Sequence, residues 1–413
     1  MRIGFDISQM YVAIAGVLHY SVRLLQKLIE EGRQHDFVLL DYEPVHASKV
    51  CHADLGLFSA PHVRRVVPKG LRRRCLANWK GIDLPGWPAA ARRVDALLQK
   101  PWDSYSRIQQ WLSLNSALDA VDIFHSSDVL QFYKRKAVNI ITVHDLTTDL
   151  FPQFHVHANL RLHQSKMSFV AQKADHIIAV SQNTKRDLMA LYGVPEDRIS
   201  VVYEAAAESF RPIHDPALLS EWTAAYGIAP QKYLLSVGTL EPRKNYSRLI
   251  SAYQMLFRQN RHGGCKLVLG GTRGWLFEDL FRQVESSGLT GEVIFTNHLP
   301  EEHLPVLMNG ASIFVYPSLY EGFGLPVLEA MACGVPVITS NVSSLPEVVG
   351  DAGLMVSPTD TGELAAAIAG LLESEHRRTQ LGQMGLQRAA QFSWARAARE
   401  TLAVYEKTLS AVR

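Results

Sequence analysis

Residues 316–339 read YPSLYEGFGLPVLEAMACGVPVIT. An apolar strand at 313–316 feeds this stretch, and a second strand follows at 337–340. Between them Gly322, Gly324 and Pro326 predict a turn that opens into a short helix. Proline suits the first helical turn, where its missing N–H would have no partner anyway. Gly334 suits the residue that ends the helix. Strand, glycine-rich turn, helix and strand together form the repeating unit of a parallel α/β sheet. Two acids, Glu321 and Glu329, lie inside this unit with seven residues between them.

The chemistry available to such a turn follows from its backbone. Amides at a helix start, together with the helix dipole, attract phosphate. Glycines at 322 and 324 let a ligand approach the main chain. Glu321 in the turn can face a reacting centre. Glu329, one turn into the helix, can accept hydrogen bonds from two neighbouring hydroxyls, as on a ribose. The structural alternative is an acid that complements the dipole and a second acid in solvent. Leu325, Val327, Leu328 and Met331 bury much of this helix, however, and a glutamate in their midst needs a partner.

The stretch resembles the E-x7-E signature of retaining glycosyltransferases of family 4, which share the GT-B fold, and the resemblance runs from about Gly16 to the C-terminus. It implies two Rossmann-like α/β domains facing across a cleft, with a C-terminal helix that crosses back to the first domain. Carried over residue by residue, it places Glu321 by the donor sugar and Glu329 on the nucleotide ribose.

Composition sets outer bounds. A chain of 413 residues is too long for one ordinary core and predicts two domains. The content of 47% hydrophobic and 20% charged residues is that of a soluble globular protein. A net charge of +2 argues against nucleic-acid binding by bulk electrostatics. Cys51, Cys75, Cys265 and Cys333 have no metal-ligand spacing, and they predict free thiols in a reducing cytoplasm. Asp6 interrupts the early apolar run, so no signal peptide is expected. No uncharged apolar run reaches the ~18 residues of a membrane span.

The chain opens as a Rossmann-like half: a strand at 3–7, a loop, a helix at 19–31 and a strand from 37. Gly16 lies in that first loop, as a backbone position that can approach phosphate. The family carries a second glycine two residues on, where this chain has Leu18. Residues 62–93 hold nine Lys or Arg and a single acid, Asp83, interleaved with Trp79 and Trp87. Trp102 and Trp111 follow. Such a segment fits an anionic membrane surface, and it fits a solvated insertion equally well.

Strands at 123–125 and 138–144 come next, the second ending in His144. Ligands of open α/β sheets bind beyond the carboxyl ends of strands. The run HDLTTDLFP at 144–152 resembles the donor-binding histidine block of mannosyltransferase-like family members, which implies a hydrogen bond from His144 to a donor-sugar hydroxyl. Asp145 caps or orients the loop. His155, His157 and His163 lack the spacing of a tight metal pair and read as surface or acceptor-side residues.

Prolines at 212 and 216 mark a linker, dividing the chain into 1–210 and 211–393, with 394–413 as the returning helix. The turn after a strand at 233–237 reads Gly238-Thr239-Leu240-Glu241-Pro242-Arg243-Lys244-Asn245. Two fixed cations at a strand end can stabilise a departing diphosphate. A solvated basic turn is the alternative. The block resembles the family's diphosphate-binding turn, which implies that Arg243 and Lys244 hold the leaving group beside Gly238 and Thr239. Leu299 matches the apolar position that packs on the nucleotide base.

The expected activity is retaining transfer of a hexose from a nucleotide-diphosphate sugar to a glycan hydroxyl. The catalytic set is His144, Arg243, Lys244 and Glu321. The binding set is Gly16, Gly238, Thr239, Leu299, Gly322, Phe323, Gly324, Leu325 and Glu329. No cofactor and no divalent metal is expected, since Arg243 and Lys244 take the cation's place. The His144 block implies GDP-mannose as donor, with a UDP-sugar as the alternative. The acceptor is a lipid-linked or cell-surface glycan intermediate, as in polysaccharide or lipopolysaccharide biosynthesis, and the expected location is the cytoplasm, at the inner membrane face if 62–93 makes peripheral contact. Two other classes share these motifs: a sugar phosphorylase, and a catalytically silent binding subunit.

Overall fold

A computed structural model describes residues 1–7, 15–40, 60–66, 121–127, 136–155, 157–274, 277–297 and 299–412. Most of the basic segment, at 67–93, lies outside the described residues, as do Cys51, Cys75, Trp102, Trp111 and His298.

Two parallel sheets carry the fold. The first holds β1 (Arg2–Asp6), β2 (Asp36–Leu40), β3 (Val63–Val66), β4 (Ile123–Ser126), β5 (Val138–Val143), β6 (His176–Ala179) and β7 (Ile199–Val201), in the order β3-β2-β1-β4-β5-β6-β7. The second holds β8 (Tyr233–Val237), β9 (Lys266–Gly270), β10 (Val293–Phe295), β11 (Ile313–Tyr316), β12 (Val337–Ser340) and β13 (Leu354–Val356), in the order β10-β9-β8-β11-β12-β13. Their interior strands are apolar runs covered on both faces, which is why β5 and β11 are buried at every residue.

Helices join the strands. In chain order they are α1 (Ala15–Glu31), α2 (Thr147–Leu150), α3 (His157–Lys173), α4 (Gln182–Tyr192), α5 (Pro216–Ala224), α6 (Tyr246–Arg258), α7 (Glu278–Ser286), α8 (Leu304–Gly310), α9 (Leu325–Ala332), α10 (Leu345–Val349), α11 (Thr361–Leu372), α12 (Glu375–Ala389) and α13 (Trp394–Val412). The side of α6 that carries Leu249, Ile250, Tyr253 and Leu256 packs into one core with Leu267, Leu269, Ile313 and Val315 of the second sheet. Ser181 caps α4 by accepting from the Thr184 amide, as expected for serine at a helix start.

The described residues form two compact units: Met1–Ile141 with Lys173–His176 and Leu402–Arg413, and Thr142–Gln172 with Ile177–Thr401. The change of sheet falls between Val201 and Tyr233, whereas the compact units first divide the chain inside β5, between Ile141 and Thr142. The end of α13 counts with the first unit. There the buried Tyr405 hydroxyl meets His125 Nδ1 at 2.5 Å.

Candidate active site

In the second sheet the strand order reverses direction at β8 and β11, which lie side by side and parallel. Ligands of doubly wound sheets sit at this switch point, beyond the carboxyl ends. The turn after β8 carries Gly238 to Asn245, and the turn after β11 carries residues 317–324. The two turns are tied together: the Leu319 amide donates to the Arg243 carbonyl at 2.8 Å, and Asn245 Nδ2 donates to the Pro317 carbonyl at 2.9 Å.

Glu321 is the hub. Its Oε2 lies 2.6 Å from Arg243 Nη1, and its Oε1 accepts from Lys244 Nζ at 2.6 Å. The other arm of Arg243 donates to Glu241 Oε1 at 2.6 Å, while Nη1 also reaches the Tyr320 carbonyl at 2.9 Å. Lys244 Nζ donates to the Tyr316 hydroxyl at 2.5 Å. Two cations and two carboxylates therefore balance inside a buried cluster, which is what keeps such charges tolerable away from water. Burial opposes ionisation of Glu321, but Arg243 and Lys244 outweigh it and hold the carboxyl down at about 2. Burial likewise opposes the Arg243 charge, and Glu321 and Glu241 hold its pKa up. The Glu321 backbone is fixed as well, its amide donating to Ser343 Oγ and its carbonyl accepting from Ser344 Oγ, each at 2.9 Å.

The glycines have separate reasons. A Cβ at Gly322 would overlap the carbonyl oxygen of His144. That contact brings the residue after β5 against the acidic turn, and Thr184 Oγ1 donates to both the His144 and Gly322 carbonyls, at 3.4 and 3.3 Å. Gly324 has φ 107° as it caps α9, a conformation that side chains disfavour. The amides of Phe323, Gly324 and Leu325 donate to no acceptor among the described residues. Phe323 itself is buried between the rings of Tyr203 and Phe392, each centroid 6.0 Å away.

Glu329 differs from Glu321. It is half-buried on α9, and among the described residues no side chain donates to its carboxyl. Burial, then the negative charges of Glu301 and Glu204, push its pKa up to about 8. The glutamate for which the sequence demanded a partner has no side-chain donor among the described residues.

The remaining positions fall around this centre. Gly238 lets the stem of Lys244 pass, since a Cβ there would come 3.1 Å from Lys244 Cε. Thr239 packs over Gly274, and Leu299 packs its Cδ1 on Gly270 at the end of β9. Asp145 serves the loop, accepting from the Thr147 amide at 3.0 Å. Gly16 is a correction. It lies in the first compact unit as an exposed residue of α1, because Ala15, Val17 and Leu18 hold no breaker and the helix starts at 15 rather than 19. His155 is half-buried; burial pushes its pKa down, and the charges of Asp145, Glu241 and Arg243 act on it.

Sequence reading missed Glu204, Glu241, Tyr316, Ser343 and Ser344. Glu241 carried a signal, an acid two residues before an arginine in a turn too short to separate them. Glu204 carried none. Among the described residues no group of three His, Cys, Asp or Glu is placed to hold a metal ion, and no helix is long and apolar enough to cross a membrane.

Two family models match the chain: Glycosyltransferase Family 4 over 14–206, and Glycosyl transferases group 1 over 220–388. The chain is 39% identical over 267 residues to O-antigen chain mannosyltransferase B of Escherichia coli, a match covering 65% of this chain and 70% of that one. It is 34% identical over 229 residues to the serotype-specific mannosyltransferase WbdA of Escherichia coli, where the match covers 55% of this chain and 28% of the relative. A sucrose-phosphate synthase from Thermosynechococcus elongatus superposes over 100% of both chains with a TM-score of 0.71 at 20% identity, a likeness of fold. With both family models in place along the chain, parallel Rossmann-like sheets beneath them and a relative matched over 70% of its length, the chain belongs to the family 4 glycosyltransferases of GT-B fold.

Proposed function

We propose that this glycosyltransferase moves mannose from GDP-mannose, with retention, to a hydroxyl of a lipid-linked or cell-surface glycan. The observation that carries the donor site is Glu329, a carboxyl held in a mostly apolar helix without a side-chain donor among the described residues. A pair of vicinal ribose hydroxyls supplies the two donors it lacks. The free amides of residues 323–325 and the start of α9 face the sugar and phosphate, where helix-start amides favour negative charge. Arg243 and Lys244 stabilise the leaving diphosphate, and Glu321 keeps both cations fixed and ionised until the charge develops. His144 binds a hydroxyl of the donor sugar. The mannosyl choice rests on the likeness to the O-antigen enzyme.

In the reaction the bond from the anomeric carbon to the phosphate oxygen breaks. The acceptor oxygen bonds that carbon on the same face, and its proton passes to the departing phosphate. A double displacement through a carboxylate is the competing route. No residue of this scheme requires a divalent cation. The test is to incubate the protein with GDP-mannose, UDP-glucose or ADP-glucose and a bacterial lipid-linked oligosaccharide fraction, with EDTA present. Mannose transfer giving an α-linked product supports the proposal. Transfer only from a UDP-sugar moves the donor. Phosphate-dependent release of sugar phosphate without a nucleotide replaces the transferase reading with a phosphorylase.

A further inference from the structure

We infer that Glu204 is a positioning residue that fixes the ring and tautomer of His144. His144 is the first residue after β5, and Glu204 stands three residues after β7, so both emerge at carboxyl ends of the same parallel sheet. Glu204 Oε1 lies 3.3 Å from His144 Nδ1, with the two side chains only 8% and 17% exposed. A carboxylate can only accept, so in the neutral imidazole the Nδ1 carries the proton and the lone pair is on Nε2. The backbone at both ends is already held. The His144 carbonyl is pinned by Thr184 Oγ1 and by Gly322. Next to Glu204, the Tyr203 ring packs on Phe323 and Phe392, and its hydroxyl donates to Glu347 Oε2 at 3.2 Å.

A buried acceptor at Nδ1 restrains rotation of the imidazole and selects the Nδ1–H tautomer. A ring locked this way presents Nε2 as an acceptor, which suits the hydrogen of a sugar hydroxyl; that use rests on the donor-binding reading proposed above. Carboxylate-backed histidines at metal sites and in catalytic triads obey the same logic, one ring nitrogen setting the state of the other. Glu204 also places its negative charge near Glu329, so a single buried acid bears on both His144 and the ribose-binding candidate.

The test does not depend on the reaction. Nitrogen-15 spectra of protein with labelled histidine, with His144 assigned through His144→Gln, report which ring nitrogen carries the proton. The wild type should show His144 as the Nδ1–H tautomer. Glu204→Gln, whose amide oxygen can still accept, should keep it, and Glu204→Ala should shift it toward Nε2–H. Donor kcat/KM should then fall about tenfold in Glu204→Ala, the loss of one hydrogen bond to a charged group, and recover in Glu204→Gln. An Nε2–H ring in the wild type, or one unchanged in Glu204→Ala, overturns the inference. The wild-type spectrum decides even where the alanine variant does not fold, and it is read whether or not GDP-mannose proves to be the donor.

Discussion

Replacing Glu329 by glutamine should make the free protein more stable and its nucleotide binding weaker, in opposition. In the folded chain burial and the acids Glu301 and Glu204 raise this carboxyl from 4.5 to about 8. A folded pKa above the unfolded one gives stability that is complete below pH 4.5 and is lost as pH rises through 8. At about 1.4 kcal/mol per pH unit the whole displacement is worth about 5 kcal/mol. Glu329 is half-buried, and solvent screening brings this to about 2 kcal/mol. Glutamine keeps the shape and removes the titration. The Tm of Glu329→Gln should therefore match wild type near pH 5 and exceed it by a few degrees at pH 8.5. Over the same series GDP affinity should fall about tenfold, because an amide cannot replace a carboxylate facing two hydroxyls. Thermal melts from pH 5 to 9 and calorimetry on both proteins check the pair. A stability gap that does not vary with pH refutes the reasoning on Glu329. So does a variant that binds GDP as well as wild type.

Glu321→Gln should cost about 3 kcal/mol at pH 7, because its folded carboxyl sits at about 2. That contribution is present above pH 4.5 and lost as pH falls toward 2, so acid titration of both proteins should make their stabilities converge. Its turnover should drop about 100-fold with nucleotide affinity largely kept, and undiminished turnover would remove Glu321 from the mechanism. Arg243→Lys should weaken GDP binding about tenfold by calorimetry, since one ammonium cannot replace a fork that spans Glu241, Glu321 and the Tyr320 carbonyl. Gly322→Ala should cost about 3 kcal/mol in denaturant unfolding, because the added methyl meets the His144 carbonyl and neither backbone can yield cheaply.

Much of this could be read in the sequence where the chemistry is local. The strand, glycine turn, helix and strand around 313–340 formed where apolar runs, Pro326 and Gly334 placed them, with β11 and β12 at their expected bounds. Arg243, Lys244 and Glu321 meet because parallel strands β8 and β11 end side by side, and a motif-level reading finds the residues without finding that they pair. The contacts of Glu204 and Ser343 needed the tertiary structure, since each partner is set by strand order rather than by sequence spacing, whereas Glu241 pairs with Arg243 two residues on. Edge strand β3 went unread because Val63-Arg64-Arg65-Val66 shows charge where an interior strand shows an apolar run. Gly16 was misplaced for the opposite reason, a glycine taken as a loop signal inside a helix that tolerates it at an exposed position.

The most direct test of the account is calorimetric titration of the protein with GDP, UDP and ADP, each with and without EDTA. The account predicts tight binding of GDP over UDP and ADP, unchanged by EDTA and weakened about tenfold by Arg243→Lys or Glu329→Gln. Binding that disappears with EDTA would contradict Arg243 and Lys244 as the diphosphate's counter-charge. Failure to bind any of the three would contradict the nucleotide-sugar site itself.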